Sequence, residues 1–140
     1  MVNTIDLIKE MKEYAEDNNV PIITDEGIDY IRNYIKENNI KRILEVGAAI
    51  GYSSILMALT DEEITITTIE RDEKRYLEAV KNIKKFKLED RINLIYKDAF
   101  DVKLDDKYDL LFIDAAKAQN IKFFEMFSKN LNPKYLLITF

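Results

Sequence analysis

From Arg42 onward the chain alternates between short β-rich runs and stretches with helical spacing, and this alternation restricts the fold more than any other feature. The runs are RILEV, ITITTIE, INLIYK, YDLLFID and YLLITF, and between them lie SSILMAL, DEKRYLEAVKNIKKF and NIKFFEMFSKNL. Strands separated by helical crossovers pair in parallel, and right-handed crossovers place helices on both faces of the sheet. The pattern therefore predicts an α/β domain with a doubly wound, mainly parallel sheet. Ahead of it, Ile5, Ile8, Met11 and Ala15 recur at helical spacing behind Asn3, and Ile28, Ile31, Tyr34 and Ile35 do so behind Thr24 and Asp25. Two N-terminal helices within residues 1–40, joined at NNVPIIT, are expected to precede a core over 41–140. No repeat, low-complexity tract or Pro/Gly/Ser linker divides the 140 residues, so a single domain is expected.

Composition removes several kinds of chemistry. With no cysteine and no histidine there is no disulfide, no thiolate metal site, no usual zinc ligand and no Ser-His-Asp triad. A metal here must be a hard cation held by oxygen. There is no run of eighteen apolar residues and no leader pattern, so a cytoplasmic chain without membrane association is expected. The net charge of −5 argues against a general nucleic-acid coat. Lys81, Lys84, Lys85, Lys87, Arg91 and Lys97 nonetheless form one basic stretch, which reads first as a solvated helix face.

In an open parallel sheet a ligand sits beyond the carboxyl ends of the strands, where strand order reverses, so the strand ends are where chemistry is sought. Two of only three glycines, Gly47 and Gly51, lie in the loop EVGAAIGYSS after the first strand. Glycine there permits positive φ and lets a ligand approach the backbone. Glu70 ends the second strand, where an acid reaches the hydroxyls of a bound ribose. Together these point to an adenosine-containing ligand. A dinucleotide fingerprint would need glycine at position 49, which is Ala49, so S-adenosylmethionine, which has no phosphate to cradle, is favoured over a nicotinamide cofactor. Asp98, Ala99 and Phe100 follow the third strand, placing an acid and a flat apolar side chain near the adenine. Asp114 ends the apolar fourth strand with Lys117 three residues on, an ion pair or a catalytic couple.

The segments EVGAAIGYSS, TIERDEKRYLEAVKNIKKF, RINLIYKDAF and YDLLFIDAAKAQ together resemble the cation-dependent O-methyltransferases of the caffeoyl-CoA and catechol type, most closely their bacterial members, including those acting on 5-hydroxyuridine in tRNA. The resemblance runs from about Asn18 to Phe140. It implies the Rossmann-like class I fold of S-adenosylmethionine-dependent methyltransferases. Gly47, Tyr52 and Ser53 would hold the methionine moiety, with Glu45 and Gly51 also carried over as cofactor-binding. Glu70 would take the ribose, Asp98 and Ala99 the adenine edge, and Ile23 of PIIT would pack over the cofactor. Asp114 would touch the cofactor and ligate Mg²⁺ or a similar divalent cation, and Lys117 would be the general base for the substrate hydroxyl. A small-molecule hydroxyl compound or tRNA is the implied acceptor, and a homodimer the implied assembly.

The sequence departs from that pattern in three places. The family continues past the fifth strand with an Asp-Asn pair that completes the metal site and with two further strands, whereas this sequence stops at Phe140. The sheet is therefore expected to lack its last two strands, the metal site to be incomplete, methyl transfer to be weak, and YLLITF to be left as an apolar edge. Asn120 stands where the family often has tyrosine, and Lys87 where glycine often ends a helix, at a cost of about 1 kcal/mol if that position is left-handed. Two other readings stay open: a non-catalytic module that binds the cofactor or dimerises through its open edge, and a nicotinamide-dependent oxidoreductase.

Overall fold

A computed structural model of the chain describes residues 3–113 and 117–139; the side chains of 117, 118 and 133–139 lie outside the description. Two helices come first, α1 (Thr4–Asp17) and α2 (Asp25–Glu37). Both start where a side-chain oxygen meets an orphan backbone donor: Asn3 accepts from the Ile5 amide and Thr24 from the Gly27 amide. Each buries one stripe, Leu7, Met11 and Ala15 on α1 and Ile28, Ile31 and Ile35 on α2. A 2.7 Å ion pair between Lys12 and Asp25 ties the two helices together.

The strands β1 (Arg42–Val46), β2 (Thr65–Glu70), β3 (Ile92–Tyr96), β4 (Tyr108–Ile113) and β5 (Leu131–Thr139) form one parallel sheet in the order β3-β2-β1-β4-β5. Helices α3 (Tyr52–Ala58), α4 (Glu73–Lys85) and α5 (Lys117–Phe127) make three of the connections. Period-two alternation sends successive residues into two cores. Ile43, Leu110 and Phe112 pack with α1, α2 and α3, whereas Leu44, Val46, Leu111 and Ile113 pack with Phe123 and Phe127 of α5. Because β1 leads outward to β2 and β3 while β4 returns on the other side, strand order reverses between β1 and β4, and the topology fixes a crevice there.

The C-terminal part of the described chain differs from the sequence expectation. Helical spacing was expected through Leu131, but α5 ends at Phe127, a 3-10 turn covers Ser128–Asn130, and β5 begins at Leu131, before Pro133. The cause is tertiary. The Asn130 amide reaches out of the helix path to donate to the carbonyls of Leu104 and Asp106, at 2.7 and 3.0 Å. A register shift between Tyr108 and Leu110 accommodates the longer β5 against β4. Lys87 does take the left-handed conformation, φ 58°, after α4. Among the described residues no helix is long and apolar enough to cross a membrane.

Candidate functional site

The loop after β1 is held against the end of β2 by its own backbone. Gly47 and Ala48 both donate to the Ile69 carbonyl, at 2.9 and 3.0 Å, and Gly51 donates to Ala48. To turn this tightly the chain places Gly47, Ala49 and Gly51 at φ 98°, 49° and 88°. The glycines are there because L side chains resist such backbone; Ala49 accepts the strain because its amide is tethered to Glu70 Oε1 at 2.7 Å. The other Glu70 oxygen accepts from the amides of Arg71 and Asp72 at 3.1 and 2.9 Å. Asp72 then caps α4 by accepting from the Arg75 amide. One buried carboxylate thus fixes the glycine loop, the end of β2 and the approach to α4.

Beyond the ends of β1, β2 and β3 lies a cavity of about 340 Å³, bounded by Gly47, Glu70, Asp98, Ala99, Phe100 and Phe123. Asp98 accepts from the Phe100 amide at 3.0 Å and so shapes the 3-10 turn Ala99–Asp101. Phe100, 42% exposed, stacks on Phe123 of α5 with ring centroids 4.4 Å apart, giving the cavity a flat apolar wall. Three cations, Arg71, Arg75 and Lys97, line the same cavity.

A second recess, about 10 Å³ and so wide enough for one water at most, lies between the segment Pro21–Ile23 and the glycine loop; Ile23, Gly47, Tyr52, Ser53 and Phe112 line it. Tyr52 is buried, and that burial pushes its phenol above its ordinary range despite the nearby Lys12 charge, so it stays a neutral hydroxyl rather than a base. Gly51 faces elsewhere. A Cβ built on it would meet Ala79 of α4 and Ile55 at 3.6 Å, so it starts α3 and lets α4 come close.

Glu45 is fully buried one residue before the end of β1, where an acid is costly unless donors surround it. They do: Ser53 donates to Oε2, Ser54 to Oε1, and Thr68 of β2 to Oε1 at 2.6 Å. Glu45 therefore reaches the recess through the hydroxyl of Ser53.

Of the residues singled out from sequence, the structure gathers Gly47, Glu70, Asp98 and Ala99 round one cavity and Ile23, Tyr52 and Ser53 round the adjoining recess. Asp114 and the side chain of Lys117 lie outside the described residues. Among the described residues no group of three or more acidic side chains is placed to hold a metal ion. Sequence reasoning missed Thr68, whose part depends on strand register, Ser54, which reaches Glu45 from the first turn of α3, and Arg71 and Arg75, which read as ordinary surface charges. Arg91, counted in the basic stretch, turns inward: its Nη1 donates to the carbonyls of Ala58, Asp61 and Ile64 at 2.9–3.1 Å.

A family model described as O-methyltransferase matches residues 2–138. Caffeoyl-CoA O-methyltransferase of Populus kitakamiensis is 32% identical over 126 residues, covering 84% of this chain and 53% of the relative. Flavonoid 3′,5′-methyltransferase of Vitis vinifera is 31% identical over 129 residues, covering 86% and 54%. The chain thus spans about half the length of these curated relatives. Among solved structures, a Staphylococcus aureus protein provisionally assigned as a caffeoyl-CoA O-methyltransferase superposes with a TM-score of 0.88 at 42% identity, covering 94% of this chain and 65% of that one. A Bacillus cereus O-methyltransferase in complex with SAH shares the fold, with a TM-score of 0.87 at 24% identity over 99% and 67% of the two chains.

Proposed function

The chain belongs to the O-methyltransferase family, and from that premise we propose that its cavity binds S-adenosylmethionine for methyl transfer to a hydroxyl oxygen. The observation that carries the reading is the Glu70 carboxylate, pinned between the glycine loop and α4 at the mouth of a cavity whose far wall is aromatic. In this reading Glu70 accepts from the ribose, Asp98 and Ala99 meet the adenine edge, and Phe100 supplies apolar surface beside it. The methionine moiety lies along Gly47 and Ser53, under Ile23, with Tyr52 and Glu45 as support. Entry of that moiety requires Pro21–Ile23 to shift, since the recess holds about 10 Å³.

Methyl transfer is an in-line displacement in which the hydroxyl oxygen attacks the sulfonium methyl and the thioether leaves, so most of what the protein supplies is alignment and exclusion of water. A pocket fastened by backbone bonds on three sides provides that alignment for the cofactor. Asp114 and Lys117, as cation ligand and base for the acceptor hydroxyl, belong to the same proposal, as do a divalent cation, an acceptor that is a small phenolic compound or tRNA, a homodimer and a cytoplasmic location. The methyl side chain of Ala49, which occupies the second glycine position of a dinucleotide fingerprint where a pyrophosphate needs to approach the backbone, counts against the nicotinamide alternative.

Isothermal titration of the chain with S-adenosylhomocysteine and with NAD tests the proposal. Binding of the first with at least roughly tenfold preference, about 1.4 kcal/mol, is expected. Equal affinities, or binding of NAD alone, would overturn it.

A further inference from the structure

Three hydroxyls converge on Glu45, but only one of them lines the recess. Ser53 is half-buried and stands in its wall beside Gly47 and Phe112. Ser54 on α3 and Thr68 on β2 are fully buried and border neither the recess nor the larger cavity. The three also divide between the two carboxylate oxygens. Ser54 and Thr68 donate to Oε1, Thr68 at 2.6 Å, and Ser53 donates to Oε2. Oε1 is thus fastened from behind by two groups set away from the recess, and Oε2 holds the one hydroxyl that borders it.

This arrangement sets the polarity of Ser53. An ionised carboxylate only accepts, and a hydroxyl has one proton to give. With that proton committed to Oε2, Ser53 offers the recess lone pairs alone, in front of a buried negative charge. Such a pair suits a donor that is itself positive and disfavours an anion. The terminal torsion of a glutamate is soft, so the direction of Oε2 has to be fixed by bonds to its partner oxygen. The bonds to Oε1 come from two elements, α3 and β2, and together they hold the carboxylate plane.

We propose that Thr68, with Ser54, is a positioning residue: by fixing Glu45 it keeps Ser53 an acceptor, and so makes the recess favour an ammonium over a carboxylate on the ligand. The inference rests on reading the recess as the place of the cofactor's methionine moiety, which carries both groups. Thr68 touches no ligand and acts only through Glu45 and Ser53. Valine at 68 suits a strand as well as threonine does but has no hydroxyl, so Oε1 keeps one of its two hydroxyl donors and the carboxylate can turn. Serine keeps the hydroxyl and loses only a methyl group.

Isothermal titration of the 140-residue chain with three thioethers separates this role from support of the fold alone. The probes are S-adenosylhomocysteine, its decarboxylated analogue, which keeps the amine, and its deaminated analogue, which keeps the carboxylate. The parent should bind the two amine-bearing compounds on the order of tenfold tighter than the deaminated one. Thr68→Val should weaken both amine-bearing compounds on the order of tenfold and the deaminated one by no more than about twofold, and Thr68→Ser should restore the parent's preference. Ser54→Ala should shift the preference in the same direction as Thr68→Val, which keeps the test available if valine at 68 does not fold. An equal loss for all three probes, a lower melting temperature with all three affinities unchanged, or no preference for the amine in the parent overturns the proposal. If the parent does not bind S-adenosylhomocysteine at all, the reading of the site falls and this inference with it, a result distinct from the other three.

Discussion

Glutamine at position 70 separates the two tasks assigned to that side chain. Glu70→Gln keeps the size and removes the charge, and it replaces one acceptor oxygen by an NH₂ donor. If the remaining oxygen keeps the Arg71 and Asp72 amides, the new donor faces the Ala49 amide, now 2.7 Å away with no acceptor between them. A buried donor left unmet costs about 1–3 kcal/mol, and the two surviving bonds lose their charge assistance. Ala49, held at φ 49° by the lost bond, becomes free to relax. The sum is about 2–4 kcal/mol, a large share of the roughly 5–15 kcal/mol that holds a domain together. For a chain of this size that lowers the melting temperature by roughly 6–15 °C. Thermal denaturation with and without S-adenosylhomocysteine reads both tasks: the variant should melt earlier alone, and the ligand should raise its melting point by less than it raises the parent's. A variant that melts within about 2 °C of the parent would show that the three backbone bonds do not fasten the loop, whatever happens to the ligand.

Arg91→Ala should destabilise the chain by about 2–3 kcal/mol in denaturant titration, since one guanidinium serves three carbonyls at the turn before β2, and it should leave cofactor affinity unchanged. A fall in affinity without a fall in stability would return Arg91 to the ligand surface. Asp109 provides a pH test. Burial pushes its carboxyl up, but the Asn132 amide and the backbone amides of Lys41 and Arg42 outweigh that and hold it below the usual carboxylate range. With its folded pKa depressed, its contribution is present above the unfolded value near 4 and is lost as pH falls through the folded value. Asp109→Asn should therefore flatten the acid limb of a stability-versus-pH curve, and an unaltered limb would show that another group controls it. In the sheet order β5 has a partner on one side only among the described residues, so sedimentation across concentration should show reversible self-association through β5 edges. A single monomeric species throughout would remove that contact.

How much of this could be read from the sequence depends on whether the cause was local. The caps at Asn3 and Thr24, the positive φ at Gly47 and Gly51 and the left-handed Lys87 are each set by a few neighbouring residues, and each stood in the sequence pattern. The end of α5 did not, because Asn130 is drawn to Leu104 and Asp106, more than twenty residues upstream. The cationic rim was equally hidden: Arg71 and Arg75 follow β2, Lys97 follows β3, and only parallel pairing of Glu70 with Tyr96 brings them to one cavity. Glu45 makes the point most sharply. In RILEV it stands among apolar neighbours, and sequence alone says only that such an acid needs donors. Two of them, Ser53 and Ser54, come from the next turn of chain, but the third comes from Thr68, set opposite it by the register of β1 on β2. A slip of one residue that put Ile69 in place of Thr68 against the carboxylate's strand position would leave a buried charge short of a hydroxyl. The register of β1 on β2 thus supplies one of the three hydroxyls that satisfy Glu45, and Ser53, which supplies another, also lines the recess beside the glycine loop.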